Sequence, residues 1–178
     1  NFPISVIAGA ADRLKLIPGT ATPVAGGTGL VGVCYPFTIQ SLNAANQVKA
    51  VTADTVVLLD PAGFFGDASC SLSVTQAVLL NGSSSVVVYF RSTLAAARVL
   101  STNATGYLNP VYPITFLAGA PAGLAMSGAS SVQAGVCSDV VEVKAVDVFG
   151  NYTALPGMTI SLGGNPSNVS YYNGADSS

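Results

Sequence analysis

Apolar and polar residues alternate along this chain with a period of two, in short runs bounded by Gly, Pro, Asn and Ser. Such alternation is how half-buried β-strands read. The runs are Ile4 to Ile7, Cys34 to Ile39, Thr55 to Leu59, Ser71 to Ala77, Ser85 to Phe90, Ala97 to Thr102, Ile114 to Leu117, Val140 to Val146 and Met158 to Leu162. Their recurrence between turn signals predicts an all-β sandwich with hairpin and Greek-key connections. Thr93 to Val99, with three consecutive Ala, is the one helical candidate, and it is too short to show a second amphipathic turn.

The strands belong to an internal repeat. Ile4 to Leu14 aligns with Ile114 to Leu124 at an offset of 110, sharing Ala-Gly-Ala in an apolar frame. Gly32-Val33-Cys34 matches Gly135-Val136-Cys137 at an offset of 103, the difference being an insertion in the Gly-rich stretch Pro23 to Gly32. Downstream, Phe64 to Cys70 resembles Tyr171 to Ser178. The expected division is therefore residues 1–10 as the last strand of a preceding repeat, 11–120 as one complete sandwich, and 121–178 as the first half of the next. A half sandwich leaves sheet edges open. Either further chain or another subunit must then supply the missing strands.

The repeat also addresses the odd cysteine count. The first copy holds Cys34 and Cys70; the second holds Cys137, with its counterpart expected beyond Ser178. If Cys34 and Cys70 pair, the closed loop of about 36 residues removes loop entropy worth roughly 3–4 kcal/mol. A bond of that kind points to an oxidising, extracytoplasmic setting. The alternative is three reduced cysteines packed in a cytosolic core.

The segment Gly135 to Asn151, with Asp147, Gly150 and Asn151 at its end, followed by Met158 to Leu162, resembles the immunoglobulin-like repeats of bacterial surface proteins, among them invasin, intimin-type and filamin-like modules. A strand ending in Asp-x-x-Gly-Asn has a physical reason. Gly takes positive φ, Asn tolerates the left-handed region, and the carboxylate accepts backbone N–H bonds across the turn. In the first copy the equivalent stretch is Asn43 to Gln47, which departs from the motif and predicts a differently built turn. The resemblance implies immunoglobulin-like β-sandwich repeats in tandem, serving as a structural module of an extracellular stalk, filament or surface appendage. It carries over no catalytic residue. The alternative is an adhesin domain binding glycan or a surface protein through loops such as Gly26 to Gly32 and exposed Tyr.

Composition narrows the chemistry. Among 178 residues there are 6 Lys and Arg, 8 Asp and Glu, and no His. The six cations are scattered at 13, 15, 49, 91, 98 and 144, so no basic surface for nucleic acid is expected. Without His, and with Glu142 as the one Glu, the usual general bases and zinc ligands are almost missing, and the expectation is neither an enzyme nor a cofactor protein. Asp54, Asp60 and Asp67, and Asp139, Glu142 and Asp147, lie close in sequence, but no D-x-D-x-D-G spacing is present. Solvated turn acids, with no metal, are the expectation. No apolar run is long enough for a membrane span. Four N-x-Ser/Thr sequons make Asn81, Asn103, Asn151 and Asn168 candidate glycan acceptors, Asn81 and Asn103 being the most loop-like. Phe64, Phe65 and Phe90 are expected in the core, with Tyr89, Tyr107, Tyr112, Tyr171 and Tyr172 at edges and joints. So few charges favour self-association or contact with neighbouring repeats.

Overall fold

A computed structural model describes residues 9–129, 131, 133–154, 157 and 159–161, and every regular element among them is a strand. The chain divides into two compact units, Asn1–Leu117 and Ala118–Ser178. That junction lies three residues before the one expected at 120/121, because Gly119 hydrogen-bonds to Asp147 within the second unit. Ile4 to Ile7, Met158 and Leu162 lie outside the described residues, and Thr159 to Ser161 are irregular.

Among the described residues the first unit holds nine strands: β1 (Arg13–Pro18), β2 (Thr28–Leu30), β3 (Tyr35–Leu42), β4 (Thr55–Asp60), β5 (Phe64–Phe65), β6 (Gln76–Leu79), β7 (Ser85–Phe90), β8 (Ala97–Asn103) and β9 (Val111–Leu117). They form a four-stranded sheet, β1-β3-β7-β5, and a five-stranded sheet, β2-β9-β8-β4-β6. All pairings are antiparallel except β2 with β9. Alternation sends Leu14 and Leu16 of β1, Phe37 and Ile39 of β3, and Val88 and Phe90 of β7 inward from one sheet. Val57 and Leu59 of β4, Leu100 of β8, and Ile114 and Phe116 of β9 do the same from the other. These residues form one hydrophobic cluster. Phe90 is its hinge point, 5.0 Å from Phe64 and 5.7 Å from Phe116 between ring centroids.

Between the strands, the segment after β5 changes sheets. Ser73 bridges to Phe65 on one sheet, and from Gln76 the chain pairs with β4 on the other. The expected strand Ser71 to Ala77 thus becomes a short β6 preceded by a crossing. Thr93 to Val99 forms no helix; from Ala97 it is already β8, because Leu100 and Thr102 must reach the core on alternate positions. The second unit holds β10 (Gly123–Ser127), β11 (Glu142–Val146) and β12 (Tyr152–Thr153), an antiparallel sheet in the order β10-β11-β12.

Candidate functional site

The first cysteine pair is a disulfide. Cys34 and Cys70 are bonded with Cα atoms 5.9 Å apart, closing a sequence separation of 36. The bond ties the start of β3 to the loop after β5, and Cys70 is fully buried. Reduced Cys34 and Cys70 are therefore excluded for this unit. Cys70 sits in the left-handed region at φ 51°, a conformation that costs most residues free energy. What holds it there is Asp67, which by sequence alone is expected to be a solvated turn acid. Its carboxylate accepts the Ser69 hydroxyl, the Ser71 N–H at 3.0 Å, the Ser71 hydroxyl at 2.8 Å and the Leu72 N–H at 2.6 Å. The Ser69 bond first, then the Leu72 and Ser71 donors, holds this carboxyl well below the usual carboxylate range. Asp67-x-Ser-Cys-Ser carries the signal: an Asp followed by hydroxyls two and four residues on.

The Asp147 turn is built as its motif requires. The Phe149 and Asn151 N–H groups both donate to Asp147 Oδ1 at 2.9 Å, and the Gly119 N–H donates to Oδ2 at 2.9 Å. Asn151 Nδ2 donates to both carboxylate oxygens, at 3.1 and 3.0 Å. Gly150 takes φ 84°. Burial by itself pushes the Asp147 carboxyl up, but donors from Asn151, Gly119 and Phe149 outweigh it and hold the pKa at about 2. Beside this turn, Lys144 lies 2.8 Å from Glu142, whose side-chain hydrogen bond raises the Lys144 pKa, and Lys144 Nζ stands over the Tyr152 ring.

The stretch Asn43 to Gln47, expected to be built differently, does not depart from this turn. Asn43 Oδ1 accepts the Ala45 and Gln47 N–H groups at 3.1 and 2.9 Å, and Asn43 Nδ2 donates to Gln47 Oε1 at 3.1 Å. The main-chain bonds are also the same. Asn43 N–H donates to the Gln47 carbonyl and Asn46 N–H to the Asn43 carbonyl, as Asp147 N–H does to Asn151 and Gly150 N–H to Asp147. Asn46 takes φ 59° where the second turn has Gly150. The substitutions work because an amide oxygen accepts N–H bonds as a carboxylate does, and Asn enters the left-handed region readily.

The flanking strands match as well. Arg13 lies opposite Leu42 in β1 and β3, and Gly123 opposite Val146 in β10 and β11. These pairs are related by offsets of 110 and 104. Leu42 bridges Val48 as Val146 pairs with Tyr152.

The remaining candidates are dispersed. Asn81 is exposed in the turn between β6 and β7, and Asn103 is exposed at the end of β8. Asn151 is 8 % exposed with its amide committed to Asp147, and Asn168 lies outside the described residues. Cys137 is a free, exposed thiol. Tyr112 is not at an edge: it is buried, its hydroxyl donates to the Pro23 carbonyl at 2.6 Å, and burial raises its pKa. Tyr35 is likewise buried, accepting the Leu30 N–H. The Gly26 to Gly32 loop is pinned, for β2 runs through it along β9. An open groove of about 350 Å³ is lined by Arg13, Lys15, Gln40, Asn46 and Asn109, among others, and Arg13 is already bonded to Asp12 and Asn46. Among the described residues no three Cys, Asp or Glu side chains converge, and no helix is long and apolar enough to cross a membrane.

Neither a protein-family model nor a curated protein matches this chain.

Proposed function

We propose that the chain is a structural module of an extracellular appendage, stalk or filament, built from disulfide-stapled, immunoglobulin-like sandwich repeats in tandem. The observation that carries this reading is the doubled construction: the same strand register and the same five-residue turn occur at Asn43 and again at Asp147. Two turns of one design, on sequences that share neither the Asp nor the Gly, argue for one ancestral unit used twice. On this reading β10 to β12 open the second repeat, and Cys137 is the counterpart of Cys34. The Cys34–Cys70 bond supports an oxidising setting, hence a place outside the cytoplasm. The mechanism is mechanical. Ladder hydrogen bonds and the staple keep the first unit folded.

The test is immunogold electron microscopy of intact source cells with antibodies raised against the chain. Regular label along an extracellular stalk or filament is expected; label only after permeabilisation overturns the proposal. Against the adhesin reading, Tyr112 is committed to the core and β2 runs through the Gly26 to Gly32 loop, while Tyr152 is exposed.

A further inference from the structure

The outward side of the five-stranded sheet is rich in aliphatic residues, set beside Thr28, Asp60, Gln76, Ser101, Asn103 and Thr115, where a solvated sheet face ordinarily turns polar. Alternation places Val56 and Leu58 of β4, Val78 of β6, Val99 of β8, and Val111 and Leu117 of β9 on the side away from the core. Register makes neighbours of them. Val56 lies opposite Val78, Val99 opposite Pro113, and Leu117 opposite Leu30 of β2. The named Val and Leu side chains are 37–69 % exposed. In β4 the run Val56-Val57-Leu58-Leu59 is continuous, the pattern of a strand buried on both faces. The other sheet has a more polar outward side, where Lys15, Thr38, Gln40 and Ser85 stand among Ile17, Val87 and Tyr89.

We propose that this face is the docking surface for a second copy of the same chain, in a twofold, sheet-on-sheet contact. The area fits. Together with Leu80, the exposed aliphatic residues spread over this face leave on the order of 700 Å², near the roughly 800 Å² each partner gives a standard interface. The charge fits too. Asp60, at the last position of β4, is the one ionisable residue at an outward position of these five strands, while Arg98 alternates to the other side. Such a face offers no charge pattern to select a foreign ionic partner, and it sets at most one like-charged pair against its own copy. Two sheets so apposed pack about 10 Å apart. This inference rests on the reading of the chain as an assembly subunit and names the surface through which it assembles.

Sedimentation analysis tests it, on the 178-residue chain carrying Cys137→Ser so that no thiol-linked dimer forms. Production in an oxidising compartment without N-glycosylation keeps Asn103, which flanks the face opposite Leu58, bare. A monomer–dimer equilibrium is expected. Val56→Lys and Val99→Lys should each weaken it at least about 100-fold, since each carries an unpaired charge into the contact. Val87→Lys, at an exposed outward position of the other sheet, should leave it unchanged. Near-UV circular dichroism and the melting temperature establish that each variant is folded. A monomer at all concentrations up to about 100 µM overturns the proposal, that affinity being too weak for a standing assembly. So does a dimer that survives both β-face substitutions. Either result leaves the appendage reading to the immunogold experiment, which does not depend on this face.

Discussion

Removing the Cys34–Cys70 bond acts mainly on the unfolded chain, which gives the effect a calculable size. The bond closes 36 residues. Loop-closure entropy for that length corresponds to about 4 kcal/mol at 25 °C. For a unit of this size the loss lowers Tm by roughly 15–30 °C. The choice of replacement matters, because Cys70 is held at φ 51°. Ala at that position keeps left-handed strain of about 1–2 kcal/mol. Gly removes the strain but gains unfolded-state freedom worth about 0.4–1 kcal/mol. The strain is the larger quantity, so Cys34→Ala/Cys70→Gly should be at least as stable as Cys34→Ala/Cys70→Ala. The assay is urea unfolding followed by near-UV circular dichroism of the buried Tyr35 and Tyr112, in a Cys137→Ser background to prevent thiol exchange. The slope of stability against urea should increase, because an unstapled chain exposes more surface on unfolding. A loss below about 1 kcal/mol with an unchanged slope would refute the account of the bond as a constraint on the unfolded state.

Three other outcomes are expected. Phe90→Ala should destabilise the first unit by about 3–5 kcal/mol, since its ring joins Phe64 to Phe116 across the core; chemical denaturation measures it, and a loss under about 1 kcal/mol would mean the cluster repacks freely. Asp147 has a folded pKa depressed to about 2 from its ordinary 3.8, so its contribution is complete above about pH 4 and lost as pH falls toward 2. Thermal melts between pH 5 and about 2 should therefore lose part of their acid slope in Asp147→Asn, and identical slopes in the two proteins would contradict the assignment. In a glycosylating secretory host, intact mass should fall by one glycan in Asn81→Gln and be unaltered, apart from the residue change, in Asn151→Gln, because the Asn151 amide is bound to Asp147; a glycan on Asn151 would show that this turn opens before it is sealed.

Much of this architecture is written in local sequence, because a strand needs only alternation and turn chemistry to declare itself. Ser85 to Phe90 is the strand the pattern predicts, and the Asp147-x-x-Gly-Asn turn forms as its residue types dictate. The offset of 110 read from Ala-Gly-Ala is the same offset that relates β1 to β10, although neither strand stood out by its own pattern. Arg13 to Pro18 offers two Leu on either side of Lys15 and ends in Pro, and Gly123 to Ser127 is mostly small residues; each becomes a strand because a neighbour supplies its ladder. Tertiary structure alone decided the rest. Asn43 and Asp147 make one turn because hydrogen-bond geometry reads the oxygen, while the sequence displays an amide against an acid. Tyr112 is buried because its hydroxyl finds the Pro23 carbonyl, 89 residues away along the chain. The pairing of Cys34 with Cys70 required the fold to bring their Cα atoms to 5.9 Å, since bonding distance is a property of the folded backbone and spacing along the chain only permits it.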